Sequence, residues 1–204
     1  MRQLAVFLDH FASQHACINA YVTEGKGRMG LLAGHYGIYR RCGDYALVPV
    51  FERTTAWARR RVIGLWEACH ALPVDVNAEE RAAQTLFIVT RGENEDEEAV
   101  AVATAYAGTP QHAGMAETPT GSLYFLRVFI RPGDRSQQLA RAIVSGSYDY
   151  LNALETPDKP GGIAAIAQNN KLESAALRRA FRGIGWEVLG RDAVGSTVYG
   201  RAFT

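Results

Sequence analysis

Short runs of β-branched and aromatic residues alternate along this chain with longer segments in which apolar residues recur three or four positions apart. Runs of the first kind are typical of strands, and the second spacing is typical of helices that pack on one face. Polar stretches containing glycine or proline lie between them and indicate turns. The pattern predicts helices over residues 3–20, 53–72, 135–154 and 171–184, and strands over residues 45–51, 85–90, 99–106, 122–130, 162–167, 186–189 and 197–203.

The order of these elements predicts the fold class. Residues 85–90 and 99–106 are joined by a polar segment with a glycine, which favours an antiparallel hairpin. The later strands alternate with helices, as in a mixed sheet. We therefore predict one domain, residues 1–204, of the α+β (mixed α/β) class. The glycine-rich segment 21–43 shows no regular spacing and is interpreted as a long loop.

Composition narrows the class of protein. A chain of 204 residues with 48% hydrophobic residues can bury a substantial core. With 22 basic and 21 acidic residues the formal net charge is +1, which provides no long-range field of the kind that attracts nucleic acid. Polar and acidic residues interrupt the first apolar stretch, where a signal peptide would have an uninterrupted apolar core. No apolar run is long enough for a membrane span. We expect a cytoplasmic protein with neither nucleic acid nor membrane as a partner.

Cysteine and histidine usage argues against a metal centre. Cys17, Cys42 and Cys69 are widely spaced and odd in number, which fits neither a disulfide framework nor the paired ligands of a zinc site. The five histidines show neither an HxH nor an HxxxH spacing. We therefore expect free thiols in a reducing compartment and no bound metal.

The junction near residues 128–143 carries the clearest chemistry. The strongest strand stops before Pro132, and a turn of small and polar residues leads into a long helix. The unpaired N–H groups of a first helical turn and the positive end of the helix dipole favour anions, and Arg135 and Arg141 can add charge-assisted contacts. The junction predicts a site for a pyrophosphate. On spacing alone, a solvated helix cap is the competing interpretation.

This segment resembles the cofactor signature of the GCN5-related N-acetyltransferase (GNAT) superfamily, which runs approximately V-x-P-x-x-R-x-x-G-x-G/A-x-x-L. Pro132, Arg135, Ala140 and Ile143 fall at the corresponding intervals. Gln138 stands where the family places its first glycine, a small residue that lets the pyrophosphate approach the backbone. The sequence thus matches the signature with one departure.

A second part of the family pattern follows downstream. Asn169 and Asn170 come after a short strand, and Phe181 stands four residues before Gly185-Trp186, as the family's tyrosine stands before its Gly-Phe. The interval from asparagine to aromatic residue is about one helical turn longer than usual. Phe181 also lacks the phenol that often protonates the departing coenzyme A thiolate, so another acid must serve, or none.

The resemblance implies a GNAT-like central, mostly antiparallel sheet of about six to seven strands flanked by helices. Residues 84–204 would form the cofactor-binding core and residues 1–80 a variable, helical N-terminal part. It implies acetyl-CoA as co-substrate and, as acceptor, an amine of a small molecule, peptide or protein. The residues that it assigns to co-substrate binding are Val128, Ile130, Arg135, Ser136, Gln137, Gln138, Leu139, Ala140, Arg141, Asn170 and Phe181.

Transfer to an amine needs a group that accepts the amine proton and benefits from an acid for the leaving thiolate. Glu117 and His112 precede the strong strand and are candidate bases. Tyr124 and Tyr199 are candidate acids by residue type, and Ser174, whose hydroxyl lies near the co-substrate by family analogy, is a further catalytic candidate. A catalytically degenerate binding or host-interaction protein on the same fold is the alternative function. The oligomeric state, a homodimer included, stays open.

Overall fold

The computed structural model describes residues 32–92, 97–113, 121–167 and 175–204. Within these ranges the chain forms five α-helices and eight strands, and the helix predicted over residues 3–20 lies outside them. The helices are α1 (Leu32–Tyr36), α2 (Ala56–Ala68), α3 (Ala78–Ala83), α4 (Gln137–Asn152) and α5 (Ala175–Gly183). The strands are β1 (Arg40–Cys42), β2 (Tyr45–Pro49), β3 (Thr85–Arg91), β4 (Glu98–Gly108), β5 (Leu123–Ile130), β6 (Gly162–Ile166), β7 (Glu187–Arg191) and β8 (Thr197–Ala202).

The strands form one sheet in the order β1-β2-β3-β4-β5-β6-β8-β7. Neighbours pair in antiparallel fashion from β1 to β4 and among β6, β8 and β7, whereas β5 and β6 run parallel. The predicted α+β class, the mostly antiparallel sheet and the β3–β4 hairpin are confirmed. The described strands number eight rather than the predicted six to seven, because a short strand occurs in the segment that we interpreted as a loop.

Two short elements, α1 and β1, lie within that glycine-rich segment. The buried Glu97 carboxylate accepts hydrogen bonds from the N–H groups of Leu32 (2.6 Å) and Ala33 (3.0 Å), which stabilises the start of the five-residue helix α1. Strand β1 has three residues and pairs with β2, for example Arg40 with Leu47. Both elements depend on partners elsewhere in the chain, so local spacing did not reveal them.

The described chain divides into two compact units. The first unit contains residues 32–92, 97–105 and 128–147, and its core includes the buried side chains of Val48, Val62, Trp66, Ile88 and Val102. Helix α2 begins after Thr55, whose Oγ1 accepts from Ala58 N at 3.3 Å. Helix α4 packs closely on β2, since a Cβ added at Gly146 would lie 3.0 Å from a methyl carbon of Leu47.

The second unit contains residues 106–113, 121–127, 148–167 and 175–204. Leu123, Phe125, Ala164 and Val198 form its apolar cluster. Strands β7 and β8 pair closely at Gly200, where an added Cβ would meet the Leu189 side chain at 2.3 Å and the Ile163 carbonyl oxygen at 3.0 Å. A side chain at this position would force its neighbours to shift.

Two properties of the described residues bear on function. None of the helices in these ranges is long and apolar enough to cross a membrane. The same ranges contain no cluster of three or more histidine, cysteine, aspartate or glutamate residues that could hold a metal ion.

Candidate functional site

The candidate site is the junction between β5 and α4, in the first unit. Strand β5 ends at Ile130, and one turn of 3-10 helix, Pro132–Asp134, carries the chain toward α4. Asp134 N donates to Arg131 O at 2.9 Å and closes this turn. The strand, turn and helix thus follow one another where the sequence predicts an anion site.

Ser136 caps the helix that opens after this turn. Its Oγ accepts from Leu139 N at 3.1 Å, and its carbonyl oxygen accepts from Ala140 N at 3.1 Å. Leu139 is fully buried and anchors the first turn of α4 to the core. The N–H groups of Gln137 and Gln138 have no carbonyl four residues back within the helix, so they point toward the N-terminal end of α4. With the positive end of the helix dipole, they make this turn suited to an anion.

The polar side chains around the first turn of α4 are exposed. Gln138 stands where the family has a glycine, and its long side chain reaches solvent. Its backbone oxygen accepts a hydrogen bond from Cys42 Sγ at 3.9 Å. Arg135 is exposed and donates from Nε to Ile130 O at 3.1 Å. Arg141 is exposed one turn further along α4. Two guanidinium groups therefore add positive charge near the helix start.

The backbone of Val128 and Ile130 is oriented away from β4. Arg131 N donates to Val100 O of β4 at 2.9 Å, so the backbone groups of Arg131 face that strand. Successive residues of an extended chain direct their N–H and C=O groups to opposite sides of the strand. The N–H and C=O groups of Ile130 and Val128 therefore point to the side of β5 that is opposite β4. Arg135 Nε meets Ile130 O there. The apolar Val128 side chain is 38% exposed.

The ladder between β5 and β6 is short. It contains three residue pairs and ends at Leu126, which is opposite Ala165. Strand β5 continues to Ile130. The pantetheine contact that the resemblance implies requires β5 to extend beyond its pairing with β6, and the register has this property.

The candidate acids and Phe181 lie in the second unit. Tyr124 is buried in β5, with its ring 6.2 Å from that of Phe203. Phe181 stacks on Tyr199, with ring centroids 4.4 Å apart, and contacts the ring of Trp186 at 5.6 Å. Tyr199 Oη and Trp186 Nε1 are buried and have no hydrogen-bond partner among the described residues. The catalytic roles of Tyr124 and Tyr199 and the cofactor contact of Phe181 stay predictions.

Several predicted residues cannot be placed in the site. Glu117, Ser174 and Asn170 lie outside the described residues. His112 belongs to the 3-10 turn Pro110–Ala113. Their roles as base, polar contact and co-substrate ligand also stay predictions.

Sequence reasoning missed a set of charged and polar residues beside the helix start, which we call the Asp134 network: Tyr45, Arg91, Glu98, Arg131 and Asp134. Asp134 accepts from Arg91 Nη1 (2.7 Å), Arg131 Nε (2.6 Å) and Tyr45 Oη (3.2 Å). Arg131 also donates to both oxygens of Glu98. This hydrogen bond lowers the pKa of Glu98, and the two carboxylates raise the pKa of Arg131. Two guanidinium groups compensate two carboxylates, so the network has no net charge.

One local signal for this network was present in the sequence. Asp134 follows Arg131 by three residues in a turn opened by proline, a spacing at which the two side chains can meet. The other partners, Arg91 and Tyr45, are 43 and 89 residues away from Asp134. No local pattern could have joined them to it.

Comparison with known proteins identifies the fold. No protein-family model and no curated protein matches the chain. Solved structures do match. NAA60 of Arabidopsis thaliana in complex with a bisubstrate analogue is 11% identical, with 78% of this chain and 99% of that chain covered and a TM-score of 0.52. The GNAT superfamily phosphinothricin acetyltransferase Pat from Sinorhizobium meliloti, in complex with AcCoA, is 16% identical, with coverage of 78% and 89% and a TM-score of 0.51.

A third solved structure supports the same conclusion. Histone acetyltransferase HPA2 and related acetyltransferase from Corynebacterium glutamicum is 13% identical, with 79% of this chain and 97% of that chain covered and a TM-score of 0.50. At such identities the likeness establishes the fold alone. The chain has the fold of the GNAT superfamily, as the sequence resemblance implied.

Proposed function

We propose that this protein is an acyl-CoA-dependent N-acyltransferase that moves an acetyl group from acetyl-CoA to an amine. The observation that carries the proposal is the orientation of the Val128 and Ile130 backbone away from β4, directly before the anion-binding turn that opens α4. A linear ligand with an amide-containing arm and a diphosphate matches that order of groups. The shared fold with named acetyltransferases supports the same assignment.

In this proposal the ligand binds through backbone groups at one end and charge at the other. The pantetheine arm pairs with the N–H and C=O groups of Val128 and Ile130, as an added strand would. The diphosphate lies on the N–H groups of Gln137 and Gln138, which open α4, and Arg135 and Arg141 add positive charge beside them. Pairing at Ile130 O replaces the bond from Arg135 Nε and releases that guanidinium toward the diphosphate.

The proposed reaction is direct transfer. The amine nitrogen attacks the thioester carbonyl carbon, the new C–N bond forms and the C–S bond breaks. The amine proton passes to a base, for which Glu117, His112 or a bound water are the candidates, and the departing thiolate takes up a proton from Tyr124, Tyr199 or solvent. Orientation of the two reactants and polarisation of the carbonyl provide most of the rate advantage in such a reaction.

The alternative function is binding without catalysis on the same fold. Phe181 carries no phenol and stacks on Tyr199, and Gln138 replaces a small residue of the signature. These departures favour a binding or host-interaction protein that has lost catalysis. Turnover is therefore the property that separates the two functions.

The test is acetyl-CoA consumption in the presence of amine panels. Purified protein is incubated with acetyl-CoA and either small aliphatic amines, peptides with free N-termini, or peptides with internal lysines, and free thiol and acetylated product are both measured. We expect amine-dependent thiol release matched by product in at least one panel. Saturable coenzyme A binding with no product in any panel would instead support the non-catalytic protein, and absence of both would refute the proposal.

A further inference from the structure

Asp134 is a buried carboxylate in the turn that precedes α4. Its side chain is 1% exposed. Isolated burial of a carboxylate is strongly unfavourable, so it must be compensated by partners. Arg91, Arg131 and Tyr45 supply three hydrogen bonds, two of them from guanidinium groups at 2.7 Å or less. These hydrogen bonds hold the carboxylate in one position, and the two guanidinium groups compensate its negative charge.

The partners connect this turn to three strands. Tyr45 belongs to β2, and Arg91 is the last residue of β3. Arg131 follows β5 directly and also donates to both oxygens of Glu98 at the start of β4. A turn held only by its own backbone bond would be free to shift, whereas this one is restrained from β2, β3 and β4.

The restrained turn leads directly into the residues of the proposed diphosphate site. Asp134 is two positions before Ser136, whose hydroxyl caps α4 through Leu139 N. The N–H groups of Gln137 and Gln138 come next. A shift of Asp134 would therefore displace the cap and the N–H groups that follow it. Binding sites for compact ligands tolerate displacements of only about 0.5 Å.

We propose that Asp134 is a positioning residue that holds the first turn of α4 in the geometry required by the diphosphate of an acyl-CoA. The inference rests on the proposed function. It assigns the carboxylate no contact with the ligand, because all three of its hydrogen bonds go to protein groups and its side chain is buried.

The proposed role makes a prediction opposite in sign to that of simple electrostatics. Asp134 carries negative charge close to a site for an anion. If it acted through charge alone, Asp134→Asn would leave Arg91 and Arg131 less compensated and coenzyme A would bind more tightly. If it acts by positioning, the same substitution weakens binding, because an amide cannot accept from two guanidinium groups and a phenol in the same geometry.

The test compares Asp134→Asn with the matched control Glu79→Gln. Glu79 belongs to the same unit, its side chain is 68% exposed, and its ion pair with Arg59 at 3.7 Å lies outside the Asp134 network. Both variants lose one negative charge. Affinities for coenzyme A and for pantetheine, which lacks the diphosphate, are measured for wild type and both variants, together with melting temperatures.

We expect coenzyme A to bind Asp134→Asn roughly tenfold more weakly, the lower end of the loss known for residues that support metal ligands without contacting the metal. Pantetheine affinity should be unchanged, and Glu79→Gln should match wild type for both ligands. A general loss of folded protein would lower both affinities together. Should Asp134→Asn fail to fold, Tyr45→Phe removes one bond to the same carboxylate and should weaken coenzyme A binding about threefold, again without effect on pantetheine.

The outcomes separate this inference from the proposed function. Coenzyme A affinity in Asp134→Asn equal to or above that of wild type would overturn the positioning role and leave the acyltransferase proposal intact. Parallel loss of both ligands, with a lowered melting temperature, would overturn it in favour of a purely structural role. Absence of coenzyme A binding by the wild type would overturn the proposed function and the inference together.

Discussion

Phe181 and Tyr199 stack face to face, with ring centroids 4.4 Å apart and planes only 10° from parallel. The phenylalanine occupies the position at which the GNAT pattern has a tyrosine, and the phenol of the pair is on β8 instead of α5. The Tyr199 hydroxyl is buried and has no partner among the described residues. A buried hydroxyl without a hydrogen bond normally destabilises the folded state.

Tyr199→Phe should therefore leave the free energy of unfolding unchanged or raise it by up to about 1 kcal/mol, since the variant keeps the ring and removes a hydroxyl that has no partner in the described part of the chain. Tyr148→Phe is the matched control, because Tyr148 is also buried in the second unit but donates to Ala202 O at 3.0 Å. That variant should lose about 1 kcal/mol. Urea denaturation measures the free energy of unfolding of both variants. A larger loss of this free energy for Tyr199→Phe than for Tyr148→Phe would mean that the Tyr199 hydroxyl does form a stabilising hydrogen bond.

Arg135→Glu should weaken coenzyme A binding by at least roughly tenfold, because it replaces a proposed phosphate contact by a repulsive charge. Its melting temperature should stay close to that of wild type, since Arg135 is exposed. Arg60→Glu, at an exposed position of α2, carries the same change of charge and should leave affinity within about twofold of wild type. Calorimetric titration measures both, and equal affinities for the two variants would remove Arg135 from the site.

Gln138→Ala should bind coenzyme A at least as tightly as wild type. The Gln138 side chain reaches solvent, and the GNAT signature has a small residue at this position, where the ligand approaches the backbone. Alanine keeps the helix propensity that glycine would lose. The dissociation constant decides the point: tighter binding by wild type than by the alanine variant would mean that the glutamine side chain itself contacts the ligand.

Glu98 should make stability depend on pH through its contacts with Arg131. Its pKa is lowered from 4.5, chiefly by the hydrogen bond from Arg131, so its stabilising effect is present above pH 4.5 and is lost as pH falls through the lowered value. The side chain is 51% exposed, which limits the effect to about 0.2–1 kcal/mol. Glu98→Gln should therefore be less stable than wild type at pH 7. The difference between the two proteins should shrink in urea denaturation as pH falls below 4.5, and a difference that stays constant with pH would exclude this origin.

The sequence predicted elements whose structure is set by nearby residues. The β-rich runs of β3, β4 and β5 and the apolar spacing of α4 were sufficient to place those elements and the hairpin. The junction at Pro132 and Arg135 was visible for the same reason, since a strand end, a turn and a helix start are local features. The resemblance to GNAT signatures then gave the fold, which the solved structures confirm.

Features that depend on distant partners could not be predicted. Helix α1 is stabilised by Glu97, which lies 65 residues after Leu32, and β1 exists through its pairing with β2. The buried state of Asp134 depends on Arg91 and Tyr45, which lie 43 and 89 residues away from it in the sequence.

Calorimetric titration of the wild-type protein with coenzyme A tests the central proposal most directly, because the strand backbone and the first turn of α4 are assigned to this one ligand. We expect saturable binding near one molecule per chain, and a melting temperature that rises with ligand concentration because only the folded state binds. No heat of binding and no thermal shift at millimolar coenzyme A would contradict the acyltransferase assignment.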